Sequence, residues 1–286
     1  MTVPAQRAPQ RTATPLHVLM CPPVHFEVAY AINPWMVGQT IDPVLAMHQW
    51  EGVRDAYLAL GHRVDLLTPV AGLPDQVFAA NGAVVVGGRG YGAKFRHPER
   101  TGEEQPFADT LARLGVRDLR RPEHVNEGEG DFLYMTDELL LAGYGFRTSR
   151  EAHAEAALAL GVEVLSLELV DPRFYHLDVA LMTLSDDAVA VYAPAFTAQG
   201  LADLRARVPH VVEVAEADAL VLGLNGVSDG RHVVLEEQAL GFQAQLTALG
   251  FVPVPVPTSE LRKSGGSVKC CTQELRGLPA VVADVA

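Results

Sequence analysis

The chain has 286 residues, of which 49% are hydrophobic, and its 35 acidic and 22 basic side chains give a formal net charge of -13. A chain of this length and composition can bury a sizeable core as a globular protein. The acidic balance leaves no broad basic surface for phosphates, so nucleic acid and anionic membranes are poor candidate partners. A negative field instead favours a cationic small molecule.

The termini and cysteines indicate the compartment. Residues 1–15 lack the apolar core of a signal peptide, and we expect them to be a disordered leader. No stretch approaches the roughly 18 apolar residues of a membrane span. Because Cys21, Cys270 and Cys271 have no disulfide spacing, we expect a reducing compartment, the cytoplasm.

Strand and helix patterns alternate along residues 16–286 without a Gly-, Pro- or Ser-rich linker, which indicates one mixed α/β domain. Predicted strands lie, in chain order, at 16–23, 62–69, 82–88, 131–135, 162–170, 180–185, 188–194, 219–225, 232–235, 251–257 and 268–275. Predicted helices lie at 44–60, 107–115, 149–161, 200–208 and 236–250. Units of a helix with its strands recur about every fifty residues, about five times in all.

The stretch GGSVKCCTQ (265–273) places two cysteines side by side. In a strand over 268–275, Cys270 and Cys271 would point to opposite faces. Gly265 and Gly266 would let the backbone approach a ligand, which favours Cys270 as a nucleophile. A buried structural cysteine has the same sequence pattern, so a partner must decide.

Two stretches offer such partners. His176 and Asp178 are two residues apart in a strand-like context and would share a face, as a proton shuttle or a substrate-binding pair requires. A histidine satisfied by local hydrogen bonds is the more common outcome for a lone His-x-Asp. Glu127, Glu129 and Asp131 lie on a glycine-rich turn that suits a cation, although an acidic turn facing water has the same composition.

Two arginines could bind a carboxylate or simply lie on the surface. Arg147 precedes a predicted helix whose N-cap we expect at Thr148 or Ser149. Arg100, in RHPERTGEE, could likewise bind a carboxylate or lie on the surface.

The sequence predicts neither a metal nor a nucleotide cofactor. The paired spacings of zinc sites are absent. The stretch GGRGYG (87–92) has the glycines of a phosphate loop but no adequate helix after it.

Seven stretches stand in a characteristic order: MCPPVHFEVAYAINPWM (20–36), VFAANGAVVV (77–86), HPERTGEE (97–104), NEGEGDF (126–132), GYGFRTS (143–149), FYHLDVAL (174–181) and GGSVKCCT (265–272). Together they resemble the guanidine-modifying enzyme superfamily of arginine deiminases, dimethylarginine dimethylaminohydrolases, arginine dihydrolases and amidinotransferases. The chain is most similar to the dimethylargininase and arginine dihydrolase branch, and the match spans about residues 16–275.

The resemblance implies a five-bladed pseudo-symmetric α/β propeller (pentein) of ββαβ units. It also implies a nucleophile at Cys270 and a catalytic histidine at His176. The family's acidic partner lies in an E/D-G-G-D turn, which is one residue longer here. Glu127 is our choice for that role, and Glu129 is the alternative.

The resemblance further implies a set of substrate-binding side chains: Asp178 for the guanidinium, Arg147 with Arg100 for the amino-acid carboxylate, and Asn81, Asn33 and Glu129 around them. Deiminases carry an aspartate where this chain has Asn81, whereas dihydrolase-like members are similar to it in having asparagine. An amide can accept one hydrogen bond and donate others, so a second attack on a neutral ureido intermediate is plausible.

The expected ligand is therefore a small arginine-like substrate, without cofactor, and we also expect that the chain can assemble as a homo-oligomer. Cys270 would attack the guanidino carbon, and His176 would protonate the leaving amine and then activate water. The products would be citrulline or, after a second hydrolysis, ornithine. An amidinotransferase and a non-catalytic amino-acid-binding protein are the alternatives.

Overall fold

The computed structural model describes residues 11–279, and the strands of that part form five separate three-stranded sheets. In each sheet the middle strand pairs antiparallel with one neighbour and parallel with the other. A parallel pair needs a crossover connection, and an α-helix supplies it in every sheet. The repeating unit is therefore ββαβ, which confirms the prediction of a mixed α/β fold.

The strands are, in chain order, β1 (His17–Met20), β2 (Arg63–Leu66), β3 (Ala83–Val86), β4 (Arg89–Gly92), β5 (Arg117–Arg120), β6 (Phe132–Thr136), β7 (Leu139–Tyr144), β8 (Glu163–Glu168), β9 (Leu181–Ser185), β10 (Ala188–Val191), β11 (His210–Glu213), β12 (Val227–Ser228), β13 (His232–Glu236), β14 (Val252–Val256) and β15 (Gln273–Glu274). The α-helices are α1 (Pro43–Ala59), α2 (Glu104–Arg113), α3 (Glu151–Leu160), α4 (Ala198–Arg207), α5 (Glu216–Ala219), α6 (Leu240–Ala248) and α7 (Ser259–Arg262). None of these helices combines the length and the apolar character that crossing a membrane requires.

Four of the sheets are built from consecutive strands, in the orders β3-β4-β5, β6-β7-β8, β11-β10-β9 and β12-β13-β14. The remaining sheet has the order β15-β1-β2. Its antiparallel pairing places Val18 opposite Glu274 and Leu19 opposite Gln273. The C-terminal strand therefore completes the unit that the N-terminal strand begins.

The strands of one unit differ in burial. Every residue of β1, β3 and β10 is buried, whereas β2, β5 and β11, which follow the helices, contain no fully buried residue. Those outer strands have the sequences RVDL, RDLR and HVVE, and charged side chains discourage pairing of an exposed edge with another chain. In these sheets the buried first and middle strands belong to the core, and the charged strands β2, β5 and β11 lie at the rim.

Helix α1 shows how the local sequence fixes an element. The Asp42 side chain accepts hydrogen bonds from the N–H groups of Val44 (3.0 Å) and Leu45 (3.1 Å), and Pro43 occupies the first helical position. The helix stops before Gly61, whose φ of 80° is the left-handed conformation that glycine adopts freely. The predicted helix over 44–60 is confirmed.

The strand predicted over residues 268–275 is wrong for most of its length. Residues 268–271 form a turn in which the Cys271 N–H donates to the Ser267 carbonyl (3.3 Å). Only Gln273–Glu274 is a strand. Alternation of side chains along a strand therefore does not separate the two cysteines.

Two further local predictions are wrong. Residues 219–225, an apolar run, form the end of α5 and a turn rather than a strand. Neither Thr148 nor Ser149 is the N-cap of α3, which begins at Glu151 without a capping side chain. The Thr148 hydroxyl instead accepts a hydrogen bond from the Glu127 N–H (3.2 Å), because it belongs to the site described below.

Part of the predicted leader lies outside the described residues, namely residues 1–10. In the part that follows, the Thr14 N–H donates to the Asp229 carbonyl (2.7 Å), and the Arg11 guanidinium lies 4.1 Å from the centre of the Phe251 ring. Residues 11–15 thus contact the sheet that contains β13.

A buried ion cluster joins two turns of the fold. Lys269, in the turn before β15, donates to Glu129 (2.7 Å) and to Glu274 (2.9 Å). The Glu274 N–H donates to the same Glu129 carboxylate (2.9 Å). Burial raises the pKa of Glu129 to about 7 against the opposing charge of Lys269. The turn that contains Glu129 is thereby fixed to the turn that contains the cysteines.

We expect Glu129→Gln to lower the free energy of unfolding by about 3 kcal/mol, because Lys269 loses one of its two anionic partners at a buried position. Urea denaturation measures the change. The matched control is Glu163→Gln, which breaks an exposed pair with Arg207 and should change the free energy by only about 0.5 kcal/mol. An equal loss in both variants would contradict this account of the cluster.

Candidate active site

Five connecting segments meet at one site, and each of them leads into the first strand of a unit. Asn81 precedes β3, Glu127 precedes β6, His176 precedes β9, Asn225 precedes β12 and Cys270 precedes β15. The repeat of the fold thus brings together side chains that are far apart in the sequence.

Three of these segments, those of Asn81, His176 and Cys270, line a cavity of about 10 Å³, which has room for about one water molecule. Its lining includes predicted site residues from across the sequence: Asn33, Asn81, Arg100, Arg147, His176 and Cys270. It also includes Gly266, which we predicted as a position of close backbone approach, and residues that we did not predict: Ile32, Asp75, Phe78, Tyr175 and Ser264.

Cys270 is held in a polar environment. Its thiol donates to Asp178 Oδ2 (3.1 Å), and the Asn225 side-chain amide donates to its sulfur (3.2 Å). Burial, reinforced by the nearby Asp178 carboxylate, raises the pKa of the Cys270 thiol well above its ordinary value. The sulfur is therefore a protonated thiol at neutral pH until a positive charge enters the site.

Gly266 allows the backbone to pass close behind this cysteine. A Cβ at Gly266 would lie 2.4 Å from the Phe78 ring and 3.0 Å from the Cys270 Cβ. Gly265 has a φ of 86°, which favours glycine. Close packing therefore requires glycine at both positions, although a turn and not a strand follows them. The expected approach of this backbone to a ligand stays a prediction.

His176 lies directly before a 3₁₀ turn, Leu177–Val179, and not in the expected strand. Its Nε2 lies 2.8 Å from Glu127 Oε2, and Arg147 NH1 donates to that same oxygen (2.8 Å). Burial by itself would raise the pKa of Glu127, but the Arg147 charge and the His176 hydrogen bond hold it well below its usual range. Glu127 is therefore an ionised carboxylate.

The glycines of the acidic turn are required for this placement. Gly128 has a φ of 53°, and a Cβ there would lie 2.7 Å from the Ala80 carbonyl oxygen. A Cβ at Gly130 would lie 2.4 Å from the Asn81 side-chain nitrogen and 3.1 Å from His176 Nδ1. Only glycine lets the turn pack against these neighbours.

The turn sends its two glutamates in different directions. Neither glutamate lines the cavity itself, but Glu127 bonds two residues that do, His176 and Arg147, whereas Glu129 pairs with Lys269. The geometry thus supports Glu127 in the acidic role and does not bring Glu129 into contact with a ligand in the cavity.

Asp131 joins two of the converging segments. Its Oδ1 accepts a hydrogen bond from the Leu177 N–H (3.0 Å), and its Oδ2 accepts one from the Thr148 N–H (3.2 Å). Burial raises its pKa to about 6. The residues next to these two N–H groups are His176 and Arg147, so Asp131 fixes the spacing between them.

Two carboxylate oxygens at the site have no hydrogen-bond partner within residues 11–279: Glu127 Oε1 and Asp178 Oδ1. Both side chains are fully buried. A buried acceptor without a partner is costly, since it has lost its water without replacement. Neither side chain lines the cavity itself, but each bonds a residue that does: Glu127 bonds His176, and Asp178 bonds Cys270.

The arginines and Asn81 are also engaged with protein groups. Arg147 NH2 donates to the Ile32 carbonyl (2.9 Å) in addition to its contact with Glu127. Arg100 donates to both oxygens of Glu103 (2.9 and 2.8 Å) and to Asn81 Oδ1 (2.8 Å). The Asn81 amide nitrogen donates to the Glu127 carbonyl (3.3 Å), so the orientation of this amide is fixed at both ends.

The segment around Asn33 covers the cavity. The Asn33 amide nitrogen donates to the Ser264 carbonyl (3.0 Å) and to the Tyr175 hydroxyl (3.3 Å). Tyr30 donates to Asp75 Oδ2 (2.8 Å) from the same segment. The enclosed space is smaller than an amino acid, so a bound amino acid would need a wider opening than this structure has.

Sequence reasoning missed Asp75 and Asn225. Asp75 lies two residues before the VFAAN motif, and its carboxylate accepts hydrogen bonds from Tyr30 and Ser264. A carboxylate this close to a recognised motif was the available signal. Asn225 ends the apolar run 219–225 that we assigned to a strand, and an asparagine closing such a run gives no signal of its own.

A metal centre is not apparent in the described part of the chain, where no group of three or more His, Cys, Asp or Glu side chains is placed to hold an ion.

Comparisons with known proteins agree with this geometry. The model of the family described as N,N dimethylarginine dimethylhydrolase, eukaryotic, matches residues 38–277. An N(G),N(G)-dimethylarginine dimethylaminohydrolase of Mycobacterium tuberculosis is 52% identical over 273 residues, which cover 95% of this chain and 88% of that protein. ArgZ of Synechocystis sp., a bifunctional arginine dihydrolase/ornithine cyclodeaminase, is 35% identical over 279 residues. That match covers 96% of this chain but only 39% of ArgZ.

Solved structures of arginine dihydrolases and of a dimethylarginine dimethylaminohydrolase are also similar to this chain. The N-terminal domain of ArgZ bound to product, described as an arginine dihydrolase, superposes with a TM-score of 0.88 at 35% identity. The match covers 93% of this chain and 100% of that domain. A dimethylarginine dimethylaminohydrolase adduct, at 19% identity and a TM-score of 0.73 over 91% of this chain and 100% of that one, shares the fold.

Since the family model spans most of the sequence and a relative is 52% identical over nearly all of it, the chain belongs to the dimethylarginine dimethylaminohydrolase family and is a hydrolase acting on guanidino C–N bonds.

Proposed function

We propose that this chain hydrolyses the guanidinium group of L-arginine or Nω-methylated arginine through a covalent intermediate on Cys270. The observation that carries the proposal is the pair of buried, unpartnered oxygens Glu127 Oε1 and Asp178 Oδ1 beside Cys270 and His176. A guanidinium presents several N–H donors and one positive charge, which together satisfy both acceptors.

The other end of the cavity suits an amino acid. The Arg147 guanidinium keeps N–H groups beyond those that contact Glu127 and Ile32, and we assign them to the substrate carboxylate. The Asp75 carboxylate, fixed by Tyr30 and Ser264, suits the substrate ammonium group. Arg100 stays a second candidate for the carboxylate.

Most N–H groups of Arg100 already hold Glu103, Asn81 and the Asp75 carbonyl. We therefore assign Arg100 chiefly to fixing the Asn81 amide. Asn33, in the covering segment, lies over the bound substrate.

The reaction starts when the bound cation lowers the pKa of the Cys270 thiol, which releases its proton to solvent. The thiolate attacks the guanidino carbon and forms a C–S bond. His176, oriented by Glu127, gives a proton to the departing nitrogen as the C–N bond breaks and ammonia or a methylated amine leaves.

Hydrolysis of the thiouronium intermediate completes the cycle. His176 takes a proton from a water molecule, the oxygen attacks the same carbon, and the C–S bond breaks. Cys270 is regenerated as a thiolate, and the ureido product is citrulline. Water supplies the oxygen, and one amine is released for each cycle.

A second hydrolysis is favoured by Asn81. A neutral amide stands at this position, with its oxygen held by Arg100 and its nitrogen directed at the Glu127 backbone. A carboxylate at this position would repel the electron-rich oxygen of a ureido group, and the neutral Asn81 amide repels it less. If citrulline is retained, attack by Cys270 and a further water gives ornithine, carbon dioxide and a second ammonia.

We also infer that the five sheets are the blades of a five-bladed α/β propeller. In support, β15 contacts β3, β6 contacts β9, and β9 contacts β12, so three of the five pairs of successive first strands are neighbours. In addition, β3 contacts the turn 128–130 that precedes β6. The segments that precede these strands then meet at one end of the central axis, where the site lies.

We propose a single catalytic domain over residues 16–286 that acts in the cytoplasm. The three cysteines are free and buried, as is usual in a reducing compartment. Assembly as a homo-oligomer stays a prediction.

Replacing Cys270 by Ser should lower kcat by more than about 1,000-fold, because a hydroxyl is a far weaker nucleophile than a thiolate. Cys271→Ser is the matched control from the adjacent, equally buried position, and it should keep kcat within about threefold. Steady-state formation of citrulline or ornithine, from whichever of arginine and its methylated forms is turned over, measures both. Similar activity in the two variants would refute the assignment of Cys270.

The substrate can be identified by mass spectrometry of the products formed from arginine, monomethylarginine and dimethylarginine. We expect citrulline with the matching amine from at least one of them, without any added acceptor amine. Ornithine from arginine would show that two cycles occur. Turnover only in the presence of an acceptor amine would instead indicate an amidinotransferase, and no turnover of any of the three would contradict the proposed function.

A further inference from the structure

We infer that Asn225 is a further catalytic residue, which positions Cys270 and donates a hydrogen bond to its sulfur during the reaction. The inference rests on the proposed covalent role of Cys270. It assigns a function to a residue that belongs to none of the seven sequence motifs.

Asn225 is fully buried and lies between α5 and β12. Its own N–H donates to the Leu222 carbonyl (3.0 Å), and its backbone carbonyl accepts from the Lys269 N–H (3.0 Å). The main chain of Asn225 is thus bonded to the turn that contains Cys270.

The orientation of its side-chain amide follows from the neighbouring backbone. Asn225 Oδ1 accepts from the N–H of Ser267 (2.9 Å) and from the N–H of Cys270 (3.1 Å). If the amide were reversed, its NH₂ group would face two N–H donors, which is unfavourable. The oxygen therefore faces the cysteine backbone, and the nitrogen faces the opposite way.

The nitrogen meets two acceptors. It donates to the Asp178 carbonyl (3.0 Å) and to the Cys270 sulfur (3.2 Å). The Asn225 side chain thereby contacts the backbone of Cys270, the sulfur of Cys270 and Asp178, whose carboxylate accepts a hydrogen bond from the thiol. These contacts hold the sulfur at a defined position relative to Asp178.

The N–H to sulfur bond changes in strength along the reaction. A hydrogen bond to an ionised acceptor is stronger than one to a neutral acceptor. Asn225 therefore stabilises the thiolate that attacks the guanidino carbon and the thiolate that departs when water cleaves the intermediate. It contributes less to the neutral thiol, so its effect falls on the barriers to reaction more than on substrate binding.

The test uses Asn225→Asp, which keeps the shape and the acceptor for the two backbone N–H groups but removes the amide donor. We expect the pH midpoint for alkylation of Cys270 by iodoacetamide to rise. Mass spectrometry of the Cys270 peptide measures the extent of alkylation at each pH. We also expect kcat with the substrate found for the wild type to fall about 10- to 100-fold, with KM changed by no more than about threefold. Asn225→Ala, the second variant, should lose at least as much kcat.

The matched control is Thr272→Val. Thr272 donates to the Val268 carbonyl (2.8 Å) in the same turn and bonds the Tyr57 hydroxyl (2.9 Å), without contacting the Cys270 sulfur. In Thr272→Val, the pH midpoint for alkylation of Cys270 should equal that of the wild type. Thermal unfolding confirms that each variant is folded.

A wild-type midpoint and wild-type kcat in Asn225→Asp would overturn the inference, and so would an equal shift in Thr272→Val. Alkylation needs no substrate. Absence of products from the wild type would therefore refute the proposed function, while the alkylation midpoints would still decide whether Asn225 acts on Cys270.

Discussion

The site depends on keeping the Glu127 carboxylate charged inside the protein. Burial opposes that charge, and Arg147 with His176, both bound to the same carboxylate oxygen, stabilise it. The rest of the site follows from this requirement. Glycines at 128 and 130 let the turn reach its neighbours, and Asp131 holds the backbones beside the two partners of Glu127.

The repeat of the fold explains how so few elements position so many polar groups. Each unit contributes the segment that leads into its first strand, and these strands are among the most buried of the molecule. A rigid core under a cluster of loops suits chemistry that needs defined distances. The charged strands β2, β5 and β11 contain no fully buried residue and contribute none of the residues that line the cavity.

The sequence predicted the α/β alternation well, because long apolar periodicity decides it. The ordered motifs indicated Cys270, His176 and Glu127, which the fold brings close together. Sequence reasoning failed where tertiary contacts override local pattern. The run 268–275 is apolar enough for a strand, but the packing of Gly266 and the hydrogen bonds from Asn225 shape it as a turn. No spacing along the chain predicts Asn225, because the partners of its side-chain amide lie more than forty residues away in the sequence.

The central claim, that Cys270 forms a covalent bond to substrate, can be tested by rapid acid quench during turnover of arginine or of the methylated arginine that is hydrolysed, followed by mass spectrometry of the Cys270 peptide. The account predicts a mass increase equal to arginine minus ammonia, on Cys270 and not on Cys271. Formation of product while Cys270 stays unmodified at every quench time would contradict it.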